Sequence, residues 1–104
     1  GCRIELEAPV HRLVMEGDTV AGVEATIDGE RRTVRARRGV VLATGGFDWN
    51  RALMERYFPG LDLTGAPDTN TGDGHAMAAE AGAELAHMDQ ALISPATFTT
   101  YEGR

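Results

Sequence analysis

Val40-Val41-Leu42-Ala43-Thr44-Gly45-Gly46-Phe47 is an apolar run that halts on a Thr-Gly-Gly turn and resumes as a helix. Four apolar residues bounded by turn residues read as a buried strand, Val40 to Ala43. The paired glycines let backbone amides approach a ligand with no side chain between them. Ligands gather at the carboxyl ends of such strands in α/β folds. Ala43, Thr44, Gly45 and Gly46 are therefore the first candidate binding turn. The competing reading is an ordinary strand-to-helix turn that needs glycine only for its φ angles.

Downstream, Asn70-Thr71-Gly72-Asp73-Gly74 opens a small-residue helix in the same manner. Two glycine turns, each feeding a helix N-terminus, suit one extended anionic or polar ligand. A flavin dinucleotide has that shape. Glycines flank Asp73 as though to keep the backbone bare. Its carboxylate either caps its own helix, which is worth about 1 kcal/mol, or accepts from a ligand hydroxyl or ring N–H. A calcium loop would require further oxygen ligands at Asp-x-Asp spacing, and the sequence lacks them.

Upstream of the first turn the pattern has mostly period two. Ile4, Leu6 and Ala8 alternate with charged residues as a first strand, Val10 and Val14 mark a second, and Gly17-Asp18 is a turn. A third strand covers Thr19 to Ile27. Asp28-Gly29 is a strong hairpin signal because both positions tolerate positive φ. Arg31 to Arg37 is the fourth strand, completing a β-meander over 1–38. A strand-turn-helix follows over 39–58, its helix running from Trp49 to Tyr57 with Asp48 as N-cap and Pro59-Gly60 as the stop. A loop and a second helix fill 59–88, the helix covering Gly74 to Ala86 with Met77, Ala81, Leu85 and Met88 at helical spacing. Beside them Gly74, Ala78 and Gly82 form a small-residue strip suited to close packing. From Gln90 the helical period is lost, and the chain reads as extended.

At 104 residues the chain is one domain at most, small for a dinucleotide enzyme built from two βαβ halves. It also has no Gly-x-Gly-x-x-Gly fingerprint. The expectation is an excerpt of a larger enzyme, inactive alone, whose pyrophosphate-holding part lies upstream of Gly1. A net charge of −6 and a pI near 4.9 argue against nucleic-acid and membrane-surface partners. No apolar run approaches the length of a membrane span. Cys2 stands alone, so neither a disulfide framework nor a thiolate metal cluster is expected, and a reducing, cytoplasmic setting is the default.

The remaining motifs carry less chemistry. The run from Arg31 to Arg38 reads as the solvated face of an edge strand, with Glu24 and Asp28 available to pair with it. His11, His75 and His87 lack metal-ligand spacing, and no metal site is expected. Ser94 lacks a nucleophile elbow. Trp49 and Tyr57 read as packing residues. No catalytic residue is assigned within the segment.

Residues 36–50 and Asn-Thr-Gly-Asp-Gly-His-Ala-Met-Ala at 70–78, followed by Gly82-Ala83 and Met88-Asp89, resemble the fumarate reductase/succinate dehydrogenase-like flavoproteins. Phe47-Asp48-Trp49-Asn50 and Met88-Asp89-Gln90-Ala91 look most like the ketosteroid-dehydrogenase branch. The resemblance implies an α/β fold, here an α+β excerpt: the meander, the buried strand and the two helices of a Rossmann-like FAD-binding domain. It implies FAD as cofactor and residues 1–93 as the middle of that domain, with 94–104 beginning a substrate-capping domain. Within such proteins, Val10 matches the valine that reads the adenine edge. Ala43, Thr44 and Gly45, with Gly46, match the turn beside the adenosine and phosphate portion. Asp73, with Thr71, Gly72 and Gly74, matches the cofactor-contacting aspartate loop on the flavin side.

The implied reaction is hydride transfer between flavin and a carbon next to an activating carbonyl or carboxyl group. A steroid-like ketone is the expected substrate and an unsaturated acid the alternative. Fumarate reductases of this type resemble one another in a His-Pro-Thr after the second helix. Here that place reads Ser94-Pro95-Ala96, which argues against a dicarboxylate. Two competitors stand beside this reading: a nicotinamide-binding domain, and a non-catalytic interaction module whose glycine turns are structural. Taken alone, the segment is expected to dimerise through exposed strand edges.

Overall fold

The computed structural model describes residues 1–61 and 65–93. Its sheet has three antiparallel strands in the order β1-β2-β3, with β1 over Val10–Glu16, β2 over Thr19–Ile27 and β3 over Glu30–Arg35. Both connections are two-residue turns. At the second, Asp28 and Gly29 take φ of 53° and 77°, the pair of positive angles that matches strand twist and that the Asp-Gly signal anticipates. Leu13, Val23 and Val34 stand in one row across the sheet, and Arg12, Glu24 and Thr33 in the next. Successive rows face opposite sides, so Leu13, Val23 and Val34 share one side, at whose β3 edge Arg32 and Glu30 also stand, and Arg12 and Glu24 share the other.

On that second side Glu24 sits between two guanidinium groups. Arg12 donates to it at 2.9 and 3.2 Å, and Arg31 pairs with its other oxygen. Hydrogen bonds from Arg12 and then Arg31 hold the Glu24 carboxyl below its ordinary range, and Glu24 in turn raises Arg12. Gly22 lies opposite Arg35, and Arg35 reaches Glu16 on β1 at 2.7 Å. Arg32 pairs with Glu30 at 3.0 Å and approaches Asp28 at 3.9 Å. Arg31 and Arg35 thus share the face of Glu24, whereas Arg32, opposite Ala25, and Glu30, opposite Ile27, pair on the other face.

Two expected strands do not form. Residues 1–9 have no ladder, and Ile4 and Leu6 are 79% and 83% exposed. Alternation alone cannot make a strand without a neighbour to accept its hydrogen bonds. The same holds for Val40 to Ala43, expected to be buried. These residues join no sheet among the described residues, and Val41 is 90% exposed. The meander accordingly runs from Val10 to Arg35, not over 1–38. The observed fold is a mixed α/β arrangement of three antiparallel strands and two helices, with no parallel ladder among the described residues.

Helix α1 spans Arg51–Tyr57. Its N-cap is Asn50, whose Oδ1 accepts from Leu53 N at 3.1 Å. Asp48 does not cap, because the helix begins at Arg51 and places Asn50 at the N-cap; the Asp48 carboxylate instead accepts from Asn70. Helix α2 spans Asp73–Glu80, shorter than the expected 74–86. Gly82 takes φ 89°, its N–H reaches Ala79 O at 3.0 Å, and Ala83 N–H reaches Ala78 O at 2.9 Å. These two bonds are a Schellman stop that satisfies the last carbonyls of the helix. Gly82 therefore ends α2, and Leu85 and Met88 lie beyond it.

Helix α2 lies against β1, and the core is small: Ala25 from β2, Met54 from α1 and Met77 from α2 are the buried apolar side chains among the described residues. No helix among the described residues is long and apolar enough to cross a membrane. Ser94-Pro95-Ala96, the extension through Tyr101 and the capping-domain start at 94–104 lie outside the described residues.

Candidate functional site

The two glycine turns meet. Gly72 N donates to Gly46 O at 3.1 Å, Trp49 N to Asn70 O at 2.9 Å, and Asn50 Nδ2 to Thr71 O at 2.9 Å. Asn70 Nδ2 adds a bond to Asp48 Oδ2 at 3.1 Å, and Trp49 Nε1 closes onto Ala66 O at 2.8 Å. Backbone polar groups that would otherwise be left open in an irregular segment are satisfied across the pair. Phe47 fills the space behind them. Its ring lies 6.0 Å from Tyr57, 6.3 Å from Phe58 and 5.3 Å from His75, the last edge-on.

Several glycines make room for the opposite turn. A Cβ on Gly74 would collide with Thr44 Oγ1, one on Gly45 with Asn70 Oδ1, and one on Gly72 would stand 3.0 Å from both Phe47 Cβ and Leu53 Cδ1. Gly46 faces Asp48 Oδ2, which a Cβ would meet at 2.7 Å. Positive φ adds a conformational need at Gly45 (77°) and Gly72 (83°). Gly74 has no such need, so packing alone accounts for its missing side chain. Bare backbone for a ligand is therefore not required to explain these positions.

The N-cap of α2 is Gly72, which has no side chain to offer the first helical amides. Asp73 occupies the first helical position and accepts from Thr71 Oγ1 at 2.9 Å. Its negative charge at the positive helix end is a favourable placement.

From that point a pocket of about 260 Å³ opens between α2 and the start of β1. Val10, His11, Asp73, Ala76, Met77 and Glu80 line it. Val10 and Asp73, far apart in sequence, thus share one pocket. The other candidates, Ala43, Thr44, Gly45, Gly46, Thr71, Gly72 and Gly74, do not line the pocket, although Thr44 packs on Gly74 next to Asp73. His11 and Glu80 were not among the sequence candidates. The signal for Glu80 is its spacing: Asp73, Ala76, Met77 and Glu80 follow i, i+3, i+4, i+7 on one helix face. His11 is held by Thr26 Oγ1 at 2.7 Å.

Small-molecule sites usually exceed about 300 Å³, so the pocket by itself is too small for a whole dinucleotide. Val10, Ala76 and Met77 give it apolar surface for a flat ring, and Asp73, His11 and Glu80 give it polar groups. The chemistry of this set is recognition, and no nucleophile-base pair is present in it. Among the described residues no group of three or more His, Cys, Asp or Glu is arranged to hold a metal ion. The His75 Nδ1 atom is buried without a partner among the described residues.

Comparison with known proteins gives a consistent picture. The model of the FAD binding domain family matches residues 1–103. A 3-oxosteroid 1-dehydrogenase of Mycobacterium tuberculosis (strain ATCC 25618 / H37Rv) is 35% identical over 103 residues, covering 91% of this chain and 18% of the relative. The NADH:fumarate oxidoreductase of Klebsiella pneumoniae (strain 342) is 34% identical over 99 residues, covering 91% and 10%. Among solved structures, the 3-ketosteroid-delta4-(5alpha)-dehydrogenase from Rhodococcus jostii RHA1, in complex with 4-androstene-3,17-dione, superposes with a TM-score of 0.72 at 41% identity. That match covers 79% of this chain and 18% of the other. The chain thus spans between a tenth and a fifth of the length of these relatives.

Proposed function

This chain belongs to the FAD binding domain family, whose cofactor is FAD, and we propose that it is the middle part of the FAD-binding domain of a longer oxidoreductase acting on carbon–carbon bonds. The favoured reaction is dehydrogenation of a steroid-like ketone beside its carbonyl. The observation that carries the binding role is the meeting of both glycine turns next to the pocket that Val10 and Asp73 share. The choice of a ketone follows the similarity to enzymes named for 3-oxosteroids.

Val10 would read the adenine edge through its backbone. Because Asp73 lines the same pocket, the geometry favours assigning it to the adenosine end, in place of the flavin side that the motif alone suggests. The Thr44–Gly46 turn would then run beside the phosphates. FAD supplies the hydride chemistry when bound, and these residues bind and orient it. Residues 94–104 would lead toward a substrate-capping domain. The similarity to a fumarate oxidoreductase supports a second reading, reduction of an unsaturated acid.

The test is the absorption spectrum of the full-length protein purified without added cofactor, followed by anaerobic addition of a 3-ketosteroid to the oxidised protein or of fumarate to the reduced one. A flavin spectrum bleached by the ketosteroid is the expected result. Reoxidation of the reduced flavin by fumarate, with no bleaching by the ketosteroid, selects the second reading. A colourless protein that ignores added FAD overturns both.

The free Cys2 and the acidic charge support a cytoplasmic setting, which fractionation of the source cells tests. Exposed Val41 and the outer edge of β3 support self-pairing of this segment when it is separated from the rest of the enzyme. Light scattering that stays monomeric at every concentration would count against it.

A further inference from the structure

Resting on the FAD-binding reading above, we propose that Asn70 is the positioning residue that holds the Thr44–Gly46 turn in its cofactor-binding shape. Nothing local fixes that turn. Val40 to Ala43 has no ladder partner among the described residues, and Gly45 and Gly46 have the widest conformational freedom of any residue type.

From the other turn, Gly72 N–H reaches Gly46 O at 3.1 Å, and Asn70 adds a side-chain constraint just beyond the turn and beside Gly45. The Asn70 carbonyl accepts from Trp49 N at 2.9 Å, and its Nδ2 donates to Asp48 Oδ2 at 3.1 Å. Its Oδ1 occupies the space that a side chain on Gly45 would fill. Its own N–H is anchored on Pro67 O at 3.0 Å, so the residue is fixed from both ends. The side chain is half-buried. The two ends of the amide thus have separate places, Nδ2 donating to Asp48 and Oδ1 filling the space beside Gly45. A turn ordered in advance leaves less entropy to be lost when the dinucleotide binds, so its loosening appears as weaker FAD binding.

The experiment compares FAD affinity of apo full-length wild type, N70D and the exchanged pair D48N/N70D by flavin fluorescence quenching, with thermal unfolding of each apo protein alongside. In N70D two carboxylates face one another and the donor is lost. In the exchanged pair the amide stands at position 48 and the carboxylate at position 70, so a donor again meets an acceptor across the same gap.

The expected result is that N70D binds FAD about tenfold more weakly, the scale of one hydrogen bond to a charged group. The exchanged pair returns to within about threefold of wild type. A folded N70D that binds FAD as wild type does, or a folded exchanged pair that stays as weak as N70D, overturns the role. Failure of both variants to fold overturns it too, because Asn70 is then a folding residue and not a positioning one. Wild type that binds no FAD is a different failure, and it removes the flavin reading itself.

Discussion

The meander and the double turn are built on opposite plans. Residues 10–35 are held by neighbours in sequence: each strand pairs with the next across a two-residue turn, and Glu24 binds an arginine from each flanking strand. The Thr44 and Asn70 turns have almost no regular structure of their own and are held by each other, with Asp48 and Asn70 separated by 22 positions. The first region is stable because it repeats a local rule. The second is shaped because two irregular segments satisfy one another's polar groups.

The same chemical change in each region separates the two plans, and the larger effect belongs to the sheet. Gly22 is buried, and an added Cβ would strike Val34 O, with Arg35 Cα 3.0 Å away. Both obstacles are backbone, so no side-chain rotation relieves them. Gly22→Ala is expected to cost about 3 kcal/mol, the upper part of the overpacking range. Hydrogen exchange at the β2 amides should show it, with no single compensating substitution. Unchanged protection would mean that β2 and β3 do not approach as described.

Gly74→Ala is the matching change in the double turn, and its obstacle is a hydroxyl. Alanine in a helix gains about 1 kcal/mol over glycine, while overpacking against Thr44 costs about 1–3 kcal/mol. The expected net loss is about 0–2 kcal/mol, read as faster exchange in α2. Thr44→Ala removes the colliding atom and leaves its own Cβ 3.3 Å from the new methyl group. The double variant should therefore recover, which Gly22→Ala cannot do. If Gly74→Ala costs as much in the Thr44→Ala background as it does alone, the two turns are not packed as a unit.

What the sequence disclosed follows the same division. Asp28-Gly29 announces its hairpin because the φ angles it requires are a property of two adjacent residues. Gly82 carried an equally local signal as a helix stop, yet its spacing from Gly74 and Ala78 made it look like part of a helical strip. Asp48 and Asn50 are both good capping residues. The helix starts at Arg51, so Asn50 caps it, while Asp48 accepts from Asn70 across the double turn. Val40 to Ala43 has the composition of a buried strand, but a strand exists only where another edge accepts its bonds, and composition does not say whether one is present.

For the site, both turns were visible as motifs. Their contact was not, because it joins residues far apart in sequence, nor was the pocket joining Val10 to Asp73, which depends on how α2 lies against β1.

The smallest effect expected lies on the charged face of the sheet and probes whether its ion pairs matter at all. Hydrogen bonds from Arg12 and Arg31 keep the folded Glu24 carboxyl below its ordinary value of 4.5. A carboxyl depressed in the folded state contributes stability above its unfolded pKa and loses it as pH falls through the folded value. Glu24→Gln should therefore lower stability slightly at neutral pH. The difference from wild type should close as pH drops below 4.5 and shrink in high salt, because exposed pairs are screened. Matched urea titrations at neutral and acid pH measure it. A difference that persists in acid, where the protonated Glu24 and the glutamine are both neutral and nearly the same shape, would show that the carboxylate charge is not its source.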